Sequence, residues 1–216
     1  MVITYKMRLV EWCERQSYPY ETMNSISNIA FVIAHLFAPE TKSGWLITIV
    51  AVGSFYFHVS GSYLGELTDE LAMSLLAYFY FVDVYGPSNV YAVLTSIVWI
   101  IYIIHWTYSI FVTFFLLQML APVYIVTIHT RKTPQQKMDL LKALVFISVA
   151  VYCWGYERYL HANDLCPVYV EDPRYYLHSY WHIGTALAHY HFMLVIHPCQ
   201  YSKWQSTGSV REITTS

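Results

Sequence analysis

The sequence predicts an all-α membrane protein, a bundle of seven transmembrane helices. Of its 216 residues, 56% are hydrophobic and only 12% are charged, and the mean hydropathy is +0.38. A soluble domain is ordinarily less apolar and carries about twice as many charges. The apolar residues form continuous runs rather than the alternation typical of a transmembrane β-barrel. These observations favour membrane helices over strands.

Seven apolar segments can each be assigned to one helix, because a bilayer core of about 30 Å needs roughly 20 apolar residues. The predicted ranges are 22–38, 44–63, 66–85, 88–105, 107–128, 139–160 and 175–197. Proline and glycine separate them: Pro39 follows the first segment, Gly86 follows the third, and Pro198 follows the seventh. Pro122 lies inside the fifth segment and is expected to kink that helix rather than end it.

The segments are predicted to form one domain, residues 1–200, followed by a polar and flexible tail, residues 201–216. Of the twelve Lys and Arg residues, seven fall on the side of the tail and five on the side of the N-terminus. Because positive charge favours the cytosolic side, this bias predicts a lumenal or external N-terminus and a cytosolic C-terminus. The net charge of -2 and the lack of a long basic run argue against a nucleic-acid partner.

The seventh segment begins with two histidines, His178 and His182, four residues apart. On a helix, this spacing places both imidazoles on one face. Titratable groups inside a membrane are costly and commonly functional, so the pair indicates a metal site. His189 lies on roughly the same face, but about 10 Å further along the axis, too far to bind the same ion. We expect His189 to make a polar contact deeper in the segment.

His58, near the end of the second segment, is the predicted third ligand. With seven spans, the end of the second segment and the starts of the third and seventh lie at one membrane face, so His58 and Asp69 share the depth of the histidine pair. Three neutral imidazoles leave a fourth tetrahedral position for water, which is typical of a hydrolytic zinc site. Ser54 precedes His58 by one turn and faces the same way. Asp69 is the carboxylate available to accept a proton from that water.

These residues also have structural interpretations. Asp69 can stabilise the positive end of the third helix behind a Thr68 cap. Ser54 can serve as a small residue that allows close helix packing, or can bond to its own helix. A single histidine such as His58 is ordinarily a hydrogen-bonded core residue, and its predicted depth beside the histidine pair is what favours a ligand.

Oxygen-bearing side chains are dense just before the first segment. Glu11, Glu14, Gln16 and Glu21 provide three carboxylates and one amide within eleven residues. Hard oxygen ligands suit calcium, although a solvated acidic stretch explains the same spacing. Two cysteines on the same predicted side, Cys13 and Cys166, can form a disulfide if that side is oxidising.

Four stretches of the sequence, in this order, resemble the alkaline ceramidases, within a wider superfamily of seven-helix hydrolases that includes the adiponectin-receptor-like and Per1-like proteins. The stretches contain Trp12, Cys13 and Glu14; Glu21, Asn24, Ser25, Ser27 and Asn28; Ser54, His58, Asp69 and Glu70; and His178, Trp181 and His182. Together they span nearly the whole chain, which makes the resemblance more specific than any single motif.

The resemblance implies a set of site residues. It implies zinc ligands at His58, His178 and His182, catalytic roles for Asp69 and Ser54, calcium ligation by Glu11, the Trp12 carbonyl, Glu14, Gln16 and Glu21, and a lumenal disulfide between Cys13 and Cys166. The family commonly has the shorter Asp and Asn where this chain has Glu11 and Gln16. Glu157 likewise resembles a longer version of an aspartate-containing motif in the sixth helix.

These observations predict a zinc-dependent amidohydrolase that cleaves ceramide-like membrane lipids to a sphingoid base and a fatty acid. We expect a multi-pass protein of the endoplasmic reticulum or Golgi membrane, with calcium as a second ion. Two alternatives remain: an ester-lipid hydrolase like the Per1-like proteins, and a seven-helix lipid receptor in which zinc is structural.

Overall fold

The computed structural model describes residues 10–14, 21–105, 107–129 and 132–207, of which residues 198–207 are described by their backbone only. These ranges are mostly α-helical and contain no strand. The helices are α1 (Thr22–Ser27), α2 (Ile29–Phe37), α3 (Lys42–Ser60), α4 (Tyr63–Tyr85), α5 (Asn89–His105), α6 (Tyr108–His129), α7 (Pro134–Ala162) and α8 (Leu177–Thr207), with a 3-10 turn at Pro173–Tyr176. The all-helical prediction is confirmed.

Each predicted segment corresponds to a helix, with α1 and α2 sharing the first segment on either side of Asn28. Pro122 lies within α6, as predicted. The predicted end of the seventh segment at residue 197 is wrong, because α8 continues through Pro198 to Thr207. A proline removes only one backbone donor, so a helix can continue through it when the other hydrogen bonds remain.

Local sequence signals explain where several helices begin and end. The Thr41 hydroxyl accepts a hydrogen bond from the Gly44 backbone N–H at 2.9 Å and caps α3. Gly61 ends α3 with a positive φ of 55°, a conformation that costs glycine least. Ser62 immediately caps α4, its hydroxyl accepting from the Gly65 N–H at 3.1 Å. This short reversal brings the last turns of α3 beside the first turns of α4.

Three helices are long and apolar enough to cross a membrane, among the described residues: Lys42–Ser60, Tyr108–Ile128 and Pro134–Ala162. The helical stretches Thr22–Phe37 and Asn89–His105 are apolar but shorter. Acidic residues lower the hydropathy of α4, and histidines lower that of α8. Large apolar side chains on the outside of the bundle, such as Phe37 (73% exposed) and Val90 (71% exposed), suit contact with lipid rather than water.

The helices pack into one bundle around a core between α2, α3, α4, α6, α7 and α8. The most extensive contacts are those of α7 with α8 and of α3 with α4. Gly53 lies where α3 meets α4, and a Cβ atom there would be 3.0 Å from the backbone oxygen of Thr68. The missing side chain therefore allows the two helices to approach closely next to Ser54 and Asp69. α5 packs at the periphery, where Trp99 and Tyr102 join a cluster with residues of α6.

Candidate metal centre

Three buried histidines meet inside the bundle, as predicted from their depth. His58 comes from the last turns of α3, and His178 and His182 come from the first turns of α8. One ligand atom of each side chain lies within 4.8 Å of the other two. All three side chains are at most 4% exposed. A neutral imidazole offers one nitrogen lone pair, so this group can hold one metal ion through three nitrogens.

The Nδ1 atom of each histidine faces a polar side chain from another helix or from the segment before α1. His58 Nδ1 lies 2.5 Å from Glu21 Oε2, and His182 Nδ1 lies 2.7 Å from Ser27 Oγ. His178 Nδ1 lies 3.7 Å from Glu157 Oε2. Metal-binding histidines ordinarily use one nitrogen for the metal and donate the other N–H to such a partner.

The Nε2 side of the group fits a metal. The Nε2 atom of His58 is buried and has no hydrogen-bond partner among the described residues. His182 Nε2 lies 3.5 Å from the Ser54 hydroxyl, a long distance for a hydrogen bond. An unpaired nitrogen in a protein interior costs free energy, and coordination to a cation removes that cost. The donor set, three imidazoles without thiolate, suits zinc among other divalent transition metals.

Ser54 and Asp69 lie beside the histidines, where the sequence predicted them. Ser54 is one turn before His58 and is 2% exposed. Its hydroxyl also interacts with the carboxyl group of Asp69 on α4. Asp69 Oδ1 is buried without another hydrogen-bond partner among the described residues. Oδ1 of Asp69 therefore has hydrogen-bonding capacity left for a molecule bound beside the histidines.

A cavity of about 210 Å³ opens onto the histidine group and extends between α2, α3, α4, α6, α7 and α8. Ser54, Asp69, His178 and His182 line it at one end. Most of the remaining wall is apolar, with side chains such as Phe115, Met119 and Ile147. Glu70 also lines the cavity, and Tyr102 donates a hydrogen bond to its Oε2. The cavity suits a ligand with a polar head and long apolar chains.

The segment before α1 packs directly on the histidine group. The Trp12 ring stacks on His178 with the ring centroids 3.7 Å apart. The Cys13 N–H donates to Glu157 Oε1 at 3.0 Å, and a disulfide joins Cys13 to Cys166. The disulfide expected from the sequence is therefore present, and it anchors this segment next to Glu157.

Glu157 is the site residue whose role the sequence did not reveal. It is 0% exposed, and its Oε2 and the Nδ1 of His178 have no hydrogen-bond partner within the described ranges. The sequence contained two signals. A carboxylate within the apolar segment 139–160 needs a partner, and Glu157 resembles a longer version of the family's aspartate-containing motif. No other predicted site residue lies on the same helix, so the sequence did not indicate which partner.

The predicted calcium ligands have other contacts in the structure. Glu14 accepts hydrogen bonds from the backbone N–H groups of Met23 and Asn24, at 2.6 and 2.9 Å. Burial raises the pKa of the Glu14 carboxyl above its ordinary value, and these two bonds oppose the rise. Glu21 bonds to His58, and the Glu11 carbonyl accepts from Arg158. Gln16 lies outside the described residues, so calcium binding stays a prediction.

The fold and the site together define a class of protein: an apolar helical bundle with a buried three-histidine group at the end of a mostly apolar cavity. A family model described as Ceramidase matches residues 8–213. The chain belongs to the ceramidase family.

Curated relatives agree with this assignment. The chain is 27% identical to alkaline ceramidase 1 of Mus musculus in an alignment that covers 84% of this chain and 76% of the relative. It is also 27% identical to alkaline ceramidase 1 of Homo sapiens, covering 84% and 79% of the two chains, and to alkaline ceramidase of Drosophila melanogaster, covering 84% and 73%. The family match, residues 8–213, extends over the helices that carry the three histidines.

Proposed function

We propose that this protein is a zinc-dependent intramembrane amidohydrolase that cleaves ceramide-like sphingolipids to a sphingoid base and a free fatty acid. The observation that carries the proposal is the group of His58, His178 and His182 beside Asp69, at the end of an apolar cavity. Membership of the ceramidase family supports ceramide as the substrate class.

A bound zinc ion would supply Lewis acidity for the amide carbonyl and would lower the pKa of a water molecule in the site. The residues of the chain supply the remaining chemistry. Asp69 accepts the proton of the attacking water and delivers it to the amide nitrogen as the amine leaves. The Ser54 hydroxyl donates a hydrogen bond to the carbonyl oxygen as negative charge develops there, which lowers the barrier.

The apolar part of the cavity binds the acyl and sphingoid chains and excludes water from the reaction. A substrate with two long chains enters most readily from a bilayer, which agrees with the exposed apolar surface of the helices. We infer that all seven segments span the membrane, with the metal centre near the lumenal face of the endoplasmic reticulum or Golgi membrane. In this orientation the Cys13 to Cys166 disulfide lies on an oxidising side.

Calcium is the second proposed ion. Glu14 and Glu21 are close enough to interact electrostatically, and Glu21 also contacts the ligand His58. Glu11, the Trp12 carbonyl and Gln16 complete the proposed oxygen ligands. A cation near these carboxylates would fix the segment before α1, and its role would be structural or regulatory.

The function is tested by assaying purified protein in lipid nanodiscs with a ceramide and with a glycerol ester of the same acyl chain. We expect release of fatty acid from the ceramide, loss of this activity after prolonged chelation, and recovery with zinc but not with magnesium. Faster cleavage of the ester would favour the ester-lipid hydrolase. Tight lipid binding without turnover of either substrate would favour the receptor.

A second prediction concerns Glu157. Replacing Glu157 with Gln keeps an oxygen that can accept from the Cys13 N–H but removes the carboxylate charge facing His178. Because partners of this kind hold metal-binding histidines in the correct orientation, zinc affinity should fall by about 10- to 100-fold. Competition with a chromophoric chelator measures this affinity directly. Glu171→Gln, at an exposed loop position, is the matched control. Equal zinc affinity of Glu157→Gln and wild type would contradict the role.

A further inference from the structure

The cavity continues along α8 past the metal centre, and two polar side chains lie in its wall there, Thr185 and His189. They follow His182 by three and seven residues, which keeps them on about the same helix face. At 1.5 Å per residue, Thr185 lies roughly 4.5 Å and His189 roughly 10 Å beyond His182 along the axis. At this depth the wall also includes apolar residues of the other helices. Ile47 lies two turns before Ser54 on α3, and Leu76 lies two turns after Asp69 on α4. Thr185 and His189 therefore form a polar patch in an apolar chain-binding region.

Tyr80 of α4 fixes the state of the His189 ring. Both side chains are 3% exposed, and the Tyr80 hydroxyl is hydrogen-bonded to His189 Nδ1. A buried phenol O–H needs an acceptor, and Nδ1 is the partner that the described residues provide. Tyr80 therefore donates to Nδ1, and a neutral imidazole that accepts at Nδ1 carries its proton on Nε2. His189 thus presents an N–H donor on its other side.

Among the described residues, neither His189 Nε2 nor Thr185 Oγ1 has a hydrogen-bond partner. Both atoms are buried. Residues four apart on a helix have Cβ atoms about 5–6 Å from each other. A single hydroxyl group between them can accept from His189 Nε2–H and donate to Thr185 Oγ1. The pair is complementary to an oxygen-bearing ligand and not to a hydrocarbon.

We propose that Thr185 and His189, with Tyr80 orienting His189, form a subsite for a hydroxyl group on one of the lipid chains of the substrate. The proposal rests on the proposed function, because the amide at the metal centre defines which part of the lipid reaches this depth. The hydroxyl lies several carbons from the amide, between the levels of Thr185 and His189. A chain without oxygen leaves both groups unpaired, so it binds more weakly in the ground state and in the transition state.

The experiment compares kcat/KM for three ceramides of equal chain length: one without an additional hydroxyl, one hydroxylated on the N-acyl chain, and one hydroxylated on the sphingoid chain. We expect wild type to favour one hydroxylated substrate by about tenfold, the effect of one or two neutral hydrogen bonds. In His189→Leu and Thr185→Val, this ratio should fall towards 1. His189→Gln retains an N–H donor and should restore part of the preference.

Thr48→Val is the matched control. The Thr48 hydroxyl is likewise buried without a hydrogen-bond partner among the described residues, but Thr48 does not line the cavity. This variant should keep the wild-type preference. The favoured hydroxylated substrate identifies the chain that occupies the subsite. A wild-type ratio near 1, or a preference that persists in His189→Leu, would overturn the proposal.

Binding measurements separate this proposal from the proposed function. If wild type hydrolysed none of the three ceramides, the proposed hydrolase function would be wrong. The affinities of the same lipids for wild type and His189→Leu would then be compared by fluorescence competition. Tighter binding of a hydroxylated lipid to wild type alone would still support the subsite. Equal affinities of all three lipids would exclude it.

Discussion

Replacing His178 with Ala is expected to remove zinc from the protein and to abolish ceramide hydrolysis. The substitution deletes one of the three proposed ligands and leaves Glu157 facing a gap at the position of the imidazole. The stabilisation that a catalytic metal supplies amounts to several kcal/mol, so kcat/KM should fall by more than about 1,000-fold. Zinc content per chain is measured by mass spectrometry beside the turnover assay.

His105→Ala is the matched control for this variant. His105 is an exposed histidine at the end of α5, the peripheral helix, and does not belong to the three-histidine group. It should retain one zinc ion per chain and wild-type turnover. If His178→Ala kept both its zinc and its activity, the three-histidine centre would not be the catalytic site. Circular dichroism at matched concentration shows whether a loss arises from unfolding instead.

Replacing Asp69 with Asn should lower kcat by about 10²- to 10⁴-fold, the contribution ordinarily made by a general acid–base group, with little change in zinc content. The amide of Asn cannot accept the proton of the attacking water, but it has nearly the same volume as the carboxyl group. Because Asp69 is not one of the three ligands, metal binding should persist. A loss of turnover with unchanged zinc content would thus identify Asp69 as a proton acceptor rather than a ligand.

Asp83→Asn tests whether any acidic residue of α4 gives the same effect. Asp83 lies fourteen residues further along α4, roughly 21 Å along the axis, and accepts a hydrogen bond from the Ser43 hydroxyl at 2.5 Å. Its replacement can lower thermal stability but should leave kcat within a few-fold of wild type. Wild-type kcat in Asp69→Asn would show that another group accepts the proton.

The hydrogen-bond partners on the Nδ1 side of the histidines suggest a further role for the polar stretch before and within α1. Ser27 bonds to His182, and Glu21 bonds to His58. The stretch therefore orients two of the three proposed zinc ligands, in addition to the calcium role predicted for Glu21. A carboxylate shared between a proposed calcium site and a zinc ligand would connect the two ions through a single side chain.

The sequence by itself determined the helices and the identity of the three histidines. Continuous apolar runs broken by proline and glycine define the helices, because burying a backbone in lipid requires its hydrogen bonds to be satisfied within the segment. The spacing of His178 and His182 is a local property of one helix. Counting segments was enough to predict that His58 and Asp69 lie at the same depth as this pair.

Only the tertiary structure decided what each polar group faces. The contacts of Glu157 with Cys13 and His178, of Ser27 with His182, and of Tyr80 with His189 join residues that are far apart in the sequence. Such contacts depend on how each helix is rotated and tilted against its neighbours, and in an apolar bundle most faces are apolar, so the hydrophobic pattern scarcely specifies the rotation. The depth of a residue in the bundle follows from counting along the chain, whereas the direction in which its side chain points follows from helix packing.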